Sequence, residues 1–128
     1  MELSLTIRNL YRAIGELAFV MTRSDKVTSK IEKIVFKEAI KEDLGKESWL
    51  AEDRFNWLDL QGEKIDVEAT YNRVIFMIRQ NKQGLSEELI EKFISVLEKV
   101  AGVKGITDDE IALIERFRED VTKIHQEN

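Results

Sequence analysis

The stretch from Leu3 to Met21 reads LSLTIRNLYRAIGELAFVM. Its apolar residues Leu3, Ile7, Leu10, Ile14, Leu17 and Met21 step by three or four, the period of one face of an α-helix. The same step returns along the rest of the chain between polar turns, and no alternating segment of useful length competes with it. A polar break from Thr22 to Lys26 precedes Thr28, which reads as an N-cap. The next helix directs Ile31, Ile34, Val35 and Ala39 inward and stops near Leu44, with Gly45 in the left-handed C′ position. Ser48 opens a shorter helix holding Trp49, Leu50, Phe55, Leu58 and Leu60. Asp66 caps another, apolar nearly all round from Tyr71 to Ile78, which predicts a central, buried place. After Asn81-Lys82-Gln83-Gly84, Ser86 caps a helix with Leu89, Ile90, Phe93, Ile94, Leu97, Val100 and Ala101 on its inner side. Gly102 to Gly105 form a turn. Thr107 and Glu110 then make a capping box for a last helix using Ile111, Ile114, Phe117, Val121 and Ile124. The prediction is an all-α, compact bundle of about six helices, one domain over residues 1–128.

Composition agrees. The 128 residues include no cysteine, no proline and one histidine. A chain of this length buries roughly two-thirds of its unfolded surface without covalent staples. Disulfide frameworks, cysteine–zinc sites and thiol nucleophiles lack their raw material. With 35% charged and 43% hydrophobic residues, the chain is neither disordered nor a membrane span, and its longest apolar run, Val74 to Ile78, is far too short to cross a bilayer. A net charge of −5 argues against non-specific nucleic-acid binding, which depends on neutralising phosphates. No secretory leader is evident at the N-terminus, so a cytoplasmic location is expected.

Two helix–turn–helix units look alike. In one, Leu17 to Met21 lead through a polar turn into Val27-Thr28 and a helix with Glu32; in the other, Leu97 to Ala101 lead into Ile106-Thr107 with Glu110. The glutamates fall one residue out of step, so this internal repeat is approximate. These units, Ser24-Asp25-Lys26-Val27-Thr28 with Glu32 and Val103-Lys104-Gly105-Ile106-Thr107-Asp108-Asp109-Glu110, resemble the signature of the TerB-like family of tellurite-resistance proteins, over most of residues 10 to 122. The family pattern has an Asp-Gly turn, a β-branched residue, a Ser or Thr cap and a following Glu. Here Lys26 replaces the glycine of the first copy and Lys104 the aspartate of the second. The resemblance implies an all-helical bundle, acidic residues that hold a cation, and a part in stress-response complexes near membranes. A similar domain in membrane-anchored J-domain co-chaperones implies protein binding.

Candidate chemistry is sparse. Asp25 in a turn and Glu32 in the next helix could face the same space, and a hard divalent cation such as calcium takes oxygen ligands of this kind. The spacing is not that of the twelve-residue calcium loop. Turn formation by Asp25 and a favourable place for Glu32 at the helix start explain the pair as well. Asp108, Asp109 and Glu110 read as first-turn acids. Glu16, Glu38 and Glu42 are the only carboxylates considered for acid–base work, and no histidine partner, serine elbow or phosphate-cradling loop accompanies them. His125 lies at the C-terminal end. An enzyme is not expected; a small hydrolase using buried glutamates is the third reading.

Lys30, Lys33, Lys37 and Lys41 share one face of the second helix and suit an anionic surface or an acidic partner. A plain solvated face competes, because Ile31, Ile34 and Val35 are assigned to the buried side and Glu38 and Glu42 dilute the field. Acids gather in the last two helices, from Glu87 to Asp120, so a protein partner or a second copy of the chain fits the charge distribution. Trp49 and Trp57, eight residues apart, share a helix face that reads as core, with an interface anchor as the alternative. The leading expectation is a non-enzymatic protein-interaction module; a metal-binding or metal-sensing module centred on Asp25 and Glu32 is the alternative.

Overall fold

A computed structural model describes residues 4–23, 30–61 and 66–127. The helices are α1 (Leu5–Arg23), α2 (Lys30–Leu44), α3 (Trp49–Gln61), α4 (Val67–Gln80), α5 (Glu87–Ala101) and α6 (Asp108–Gln126), with 3₁₀ turns after α2, α4 and α5. No strand occurs among the described residues, so the protein is all-α. Thr28 and the first of the two similar turns lie outside the described residues.

The central helix is α1, not α4. From Leu10 to Thr22 every residue of α1 except Arg12 is buried, and α3, α4 and α5 all pack on it. Small residues explain why this helix can be surrounded. A Cβ added at Gly15 would collide with the Ala51 backbone of α3, so the two helices meet at near backbone contact. Ala13 and Ala18 are fully buried. The apolar run of α4 buries only Tyr71, Val74 and Ile78 among its large side chains, and Phe76 stands 61% exposed.

Phe55 of α3 ties three helices together. Its ring stacks on Phe36 of α2 at 4.4 Å and meets the edge of Phe19 of α1 at 5.5 Å. On the other side Tyr11 and Phe93 join α1 to α5 edge-on at 6.4 Å. Helix α2 lies along α5, and α6 covers α5 and part of α4.

Helix ends follow local chemistry. Gly45 takes φ +76° and ends α2 in the left-handed region. The side chains of Asp66 and Ser86 accept from the amides of Ala69 (3.0 Å) and Leu89 (3.1 Å). Thr107 Oγ1 accepts from the Glu110 amide at 3.1 Å, while Glu110 accepts from the Thr107 amide at 3.0 Å, completing the capping box.

Of the residues expected inward on helix α2, Ala39 is buried, but the rest of the buried face is different. Phe36, Ala39, Ile40 and Leu44 go inward with Glu32, whereas Ile31 and Ile34 are 61% and 49% exposed. Two apolar stripes compete on this helix. The one through Ile31, Ile34 and Val35 runs on into Glu38 and Glu42, while the one through Phe36 continues as Ile40 and Leu44. The second removes more apolar area from water and therefore wins. Helix α3 behaves alike: Leu50, Ala51, Phe55 and Leu58 form the inner stripe, and Trp49, Trp57 and Leu60 stay exposed. On α6, Ile111 is exposed, and the other four expected residues are inside.

Candidate functional site

The rotation of α2 changes the setting of its lysines. Lys33 and Lys37 lean toward α3, where Lys33 pairs with Asp59 at 2.5 Å and Lys37 sits 3.7 Å from Glu52. These partly exposed pairs add little to stability but hold the two ammonium groups along a shallow groove between α2 and α3. Lys30, Lys33, Ile34 and Lys37 form one wall of that groove; Glu52, Phe55 and Asn56 form the other. Lys30 and Lys41 are exposed and meet no carboxylate among the described residues. Of the two grounds for a plain solvated face, the inward isoleucines are absent, while Glu38 and Glu42 are exposed beside the row as expected. Ile34 instead lies exposed among the lysines and Ile31 lies beside exposed Glu38 and Glu42, so the outer surface of α2 is apolar with a cationic side and an acidic edge.

The expected metal pair is not assembled from described parts. Asp25 lies outside the described residues, and Glu32 is buried at the first turn of α2. No group of three or more acidic or histidine side chains converges among the described residues. In the second turn Glu110 is buried and spent on its cap, and Asp108 and Asp109 are exposed first-turn acids.

The three glutamates considered for acid–base work part company. Glu38 is exposed, and Glu42 is exposed beside Lys99 at 3.4 Å. Glu16 is fully buried on α1 and bridged by Arg54 of α3 at 3.2 Å and Arg73 of α4 at 2.7 Å. Neither arginine was singled out from the sequence. The available signal was Glu16 itself, a lone acid within the apolar run Ala13 to Ala18, because a charge buried there must find partners.

A second polar cluster joins α4 to α6. Tyr71 donates its hydroxyl to Asp120 at 2.6 Å, Arg116 lies over the Tyr71 ring at 4.0 Å, and Arg116 grips Glu68 through two bonds of 2.7 and 2.8 Å. Burial pushes the Tyr71 hydroxyl far above its ordinary range, and the hydrogen bond to Asp120 adds to that. The phenol therefore stays protonated as a fixed donor. Hydrogen bonding to Arg116 holds the Glu68 carboxyl below its usual value, and hydrogen bonding to Asp43 raises the Lys99 ammonium. Glu68 and Lys99 are shifted by partners that brace two helices, and Tyr71 by burial together with such a partner. Half-buried His125 near the end of α6 has a buried Nδ1 with no partner among the described residues, beside Glu87, Glu91 and Arg118. No protein-family model, curated protein or solved structure matches the chain.

Proposed function

We propose that this protein is a non-enzymatic helical interaction module, of the kind its TerB-like resemblance implies, whose α2 face receives an acidic amphipathic segment of a partner protein. One observation carries this: Ile34 is exposed on a face of α2 that also carries Lys30, Lys37 and Lys41, with exposed Ile31 at its edge. Fully burying an isoleucine contributes about 1.5–3 kcal/mol, and Ile31 and Ile34, with 61% and 49% of their surface in water, have roughly half of that each left for the apolar part of a transient contact. The lysines give the approach its sign and would mostly raise the association rate. An incoming helix with acids flanking its apolar anchors complements both features. Assembly in a stress-response or membrane-proximal complex belongs to the same proposal and rests on the resemblance.

Site-specific photo-crosslinking in cells tests it. A crosslinker placed at Ile34 should capture a discrete partner carrying an acidic segment, and the adduct should fade in a Lys37→Glu/Lys41→Glu background. A crosslinker at exposed Ile111 on α6 should not capture it. Equal capture from both positions, or capture indifferent to the lysine reversals, would overturn the proposal. Self-adducts would replace the separate partner by a second copy.

A further inference from the structure

Glu16 presents its two carboxylate oxygens to different helices. Oε1 accepts from Nη1 of Arg54 on α3 and Oε2 from Nε of Arg73 on α4. One carboxylate against two guanidiniums leaves a positive charge uncompensated within the triad. Each guanidinium carries five N–H donors in a planar fork. Glu16 takes one from each, and no other acceptor meets either group among the described residues. Arg54 keeps 31% and Arg73 51% of its side-chain surface in water, so their spare donors are reachable from outside. Trp57, one helical turn beyond Arg54, lies with its ring centroid 5.7 Å from that guanidinium. Asp53 lines the same shallow hollow with Arg54 and Trp57.

We propose that Arg54 and Arg73, held side by side by Glu16, form a notch that binds an oxyanion of carboxylate or phosphate type. Each fork is anchored at one donor by the fully buried Glu16 carboxylate, which removes part of the ordering that would oppose binding. Guanidinium forks match carboxylate and phosphate oxygens in spacing and charge, and both forks are drawn to one place by the same carboxylate. Asp53 opposes the anion and weakens its hold. The notch shares no residue with the α2 face, so either site can fail without the other.

Tryptophan fluorescence reads the notch directly. In a Trp49→Phe background Trp57 is the remaining tryptophan of the chain's two. Titration with inorganic phosphate at constant ionic strength should give a saturable change. Arg73→Lys, which keeps a charge opposite Glu16 but loses the fork, should weaken the apparent affinity by about tenfold, on the order of one charge-assisted hydrogen bond. Asp53→Asn should strengthen it, and Lys41→Gln should leave it unchanged. Sodium acetate in place of phosphate separates a carboxylate ligand from a phosphate one. A phosphoserine peptide set against free phosphate separates a side-chain source from a dissolved ion. A response linear in both anions, or one that Arg73→Lys and Asp53→Asn leave unaltered, would overturn the proposal and leave the triad as a clasp between helices.

Discussion

Helices α2 and α5 are each fifteen residues long and lie against each other, yet they spend their apolar residues differently. Every large apolar side chain of α5 is buried, from Leu89 to Val100. Helix α2 buries Phe36, Ile40 and Leu44 and leaves Ile34 in water among lysines and Ile31 in water beside Glu38. On α5 the hydrophobic pattern has one phase and is consumed by folding. On α2 it has two, and folding uses only one. An apolar surface that the core does not need, flanked by lysines on one side and by Glu38 and Glu42 on the other, is available for a partner.

The sharpest way to break this contrast is to empty the core on both sides. Phe36→Ala and Phe93→Ala should each lower unfolding stability by about 3–5 kcal/mol in urea titration, since both rings are enclosed and leave cavities. If Phe36→Ala were nearly silent, the inner stripe of α2 would be wrongly assigned. Arg73→Ala comes next. It leaves the buried Glu16 carboxylate to Arg54 alone, and a loss of about 1–3 kcal/mol is expected in the same assay.

Tyr71→Phe should cost about 1–2 kcal/mol at neutral pH through its bond to Asp120. Its pH dependence has a definite sign. The folded Tyr71 hydroxyl holds its proton well above the ordinary value of 10.0, whereas the unfolded one releases it there. Above that pH the unfolded chain binds fewer protons, so the native protein loses stability as pH rises. The Phe variant should lose less over the same alkaline interval, and parallel pH curves for the two proteins would contradict the assignment. Thr107→Ala, which removes one half of the capping box, should cost about 1 kcal/mol, and an unchanged urea midpoint would count against the cap.

What the sequence disclosed divides along the range of the forces involved. The caps at Asp66, Ser86 and Thr107 and the stop at Gly45 were legible because each is settled within three or four residues. The inner side of α5 was legible because its pattern admits one phase. The burial of Phe36 rather than Ile31 was not, because a stacking partner, Phe55, lies nineteen positions away and decides between two workable stripes. The same holds for α3, where Phe55 turns inward and both tryptophans turn out. The central place of α1 followed from close packing of Gly15 on Ala51, which no periodicity of α1 alone reveals. Lysines 30, 33, 37 and 41 were legible as a row, but their apolar companions were not. Arg54 and Arg73 reach Glu16 across 38 and 57 positions, so only the buried acid itself could be suspected.

The central claim is that the outer stripe of α2 is idle in folding. Urea denaturation of an Ile31→Ser/Ile34→Ser double variant tests it most directly. The unfolding free energy should stay within about 0.5 kcal/mol of wild type per site, as for exposed positions elsewhere, while the Ile34-dependent interaction disappears. A loss of several kcal/mol would place both isoleucines in the core and remove the surface on which the proposed function stands.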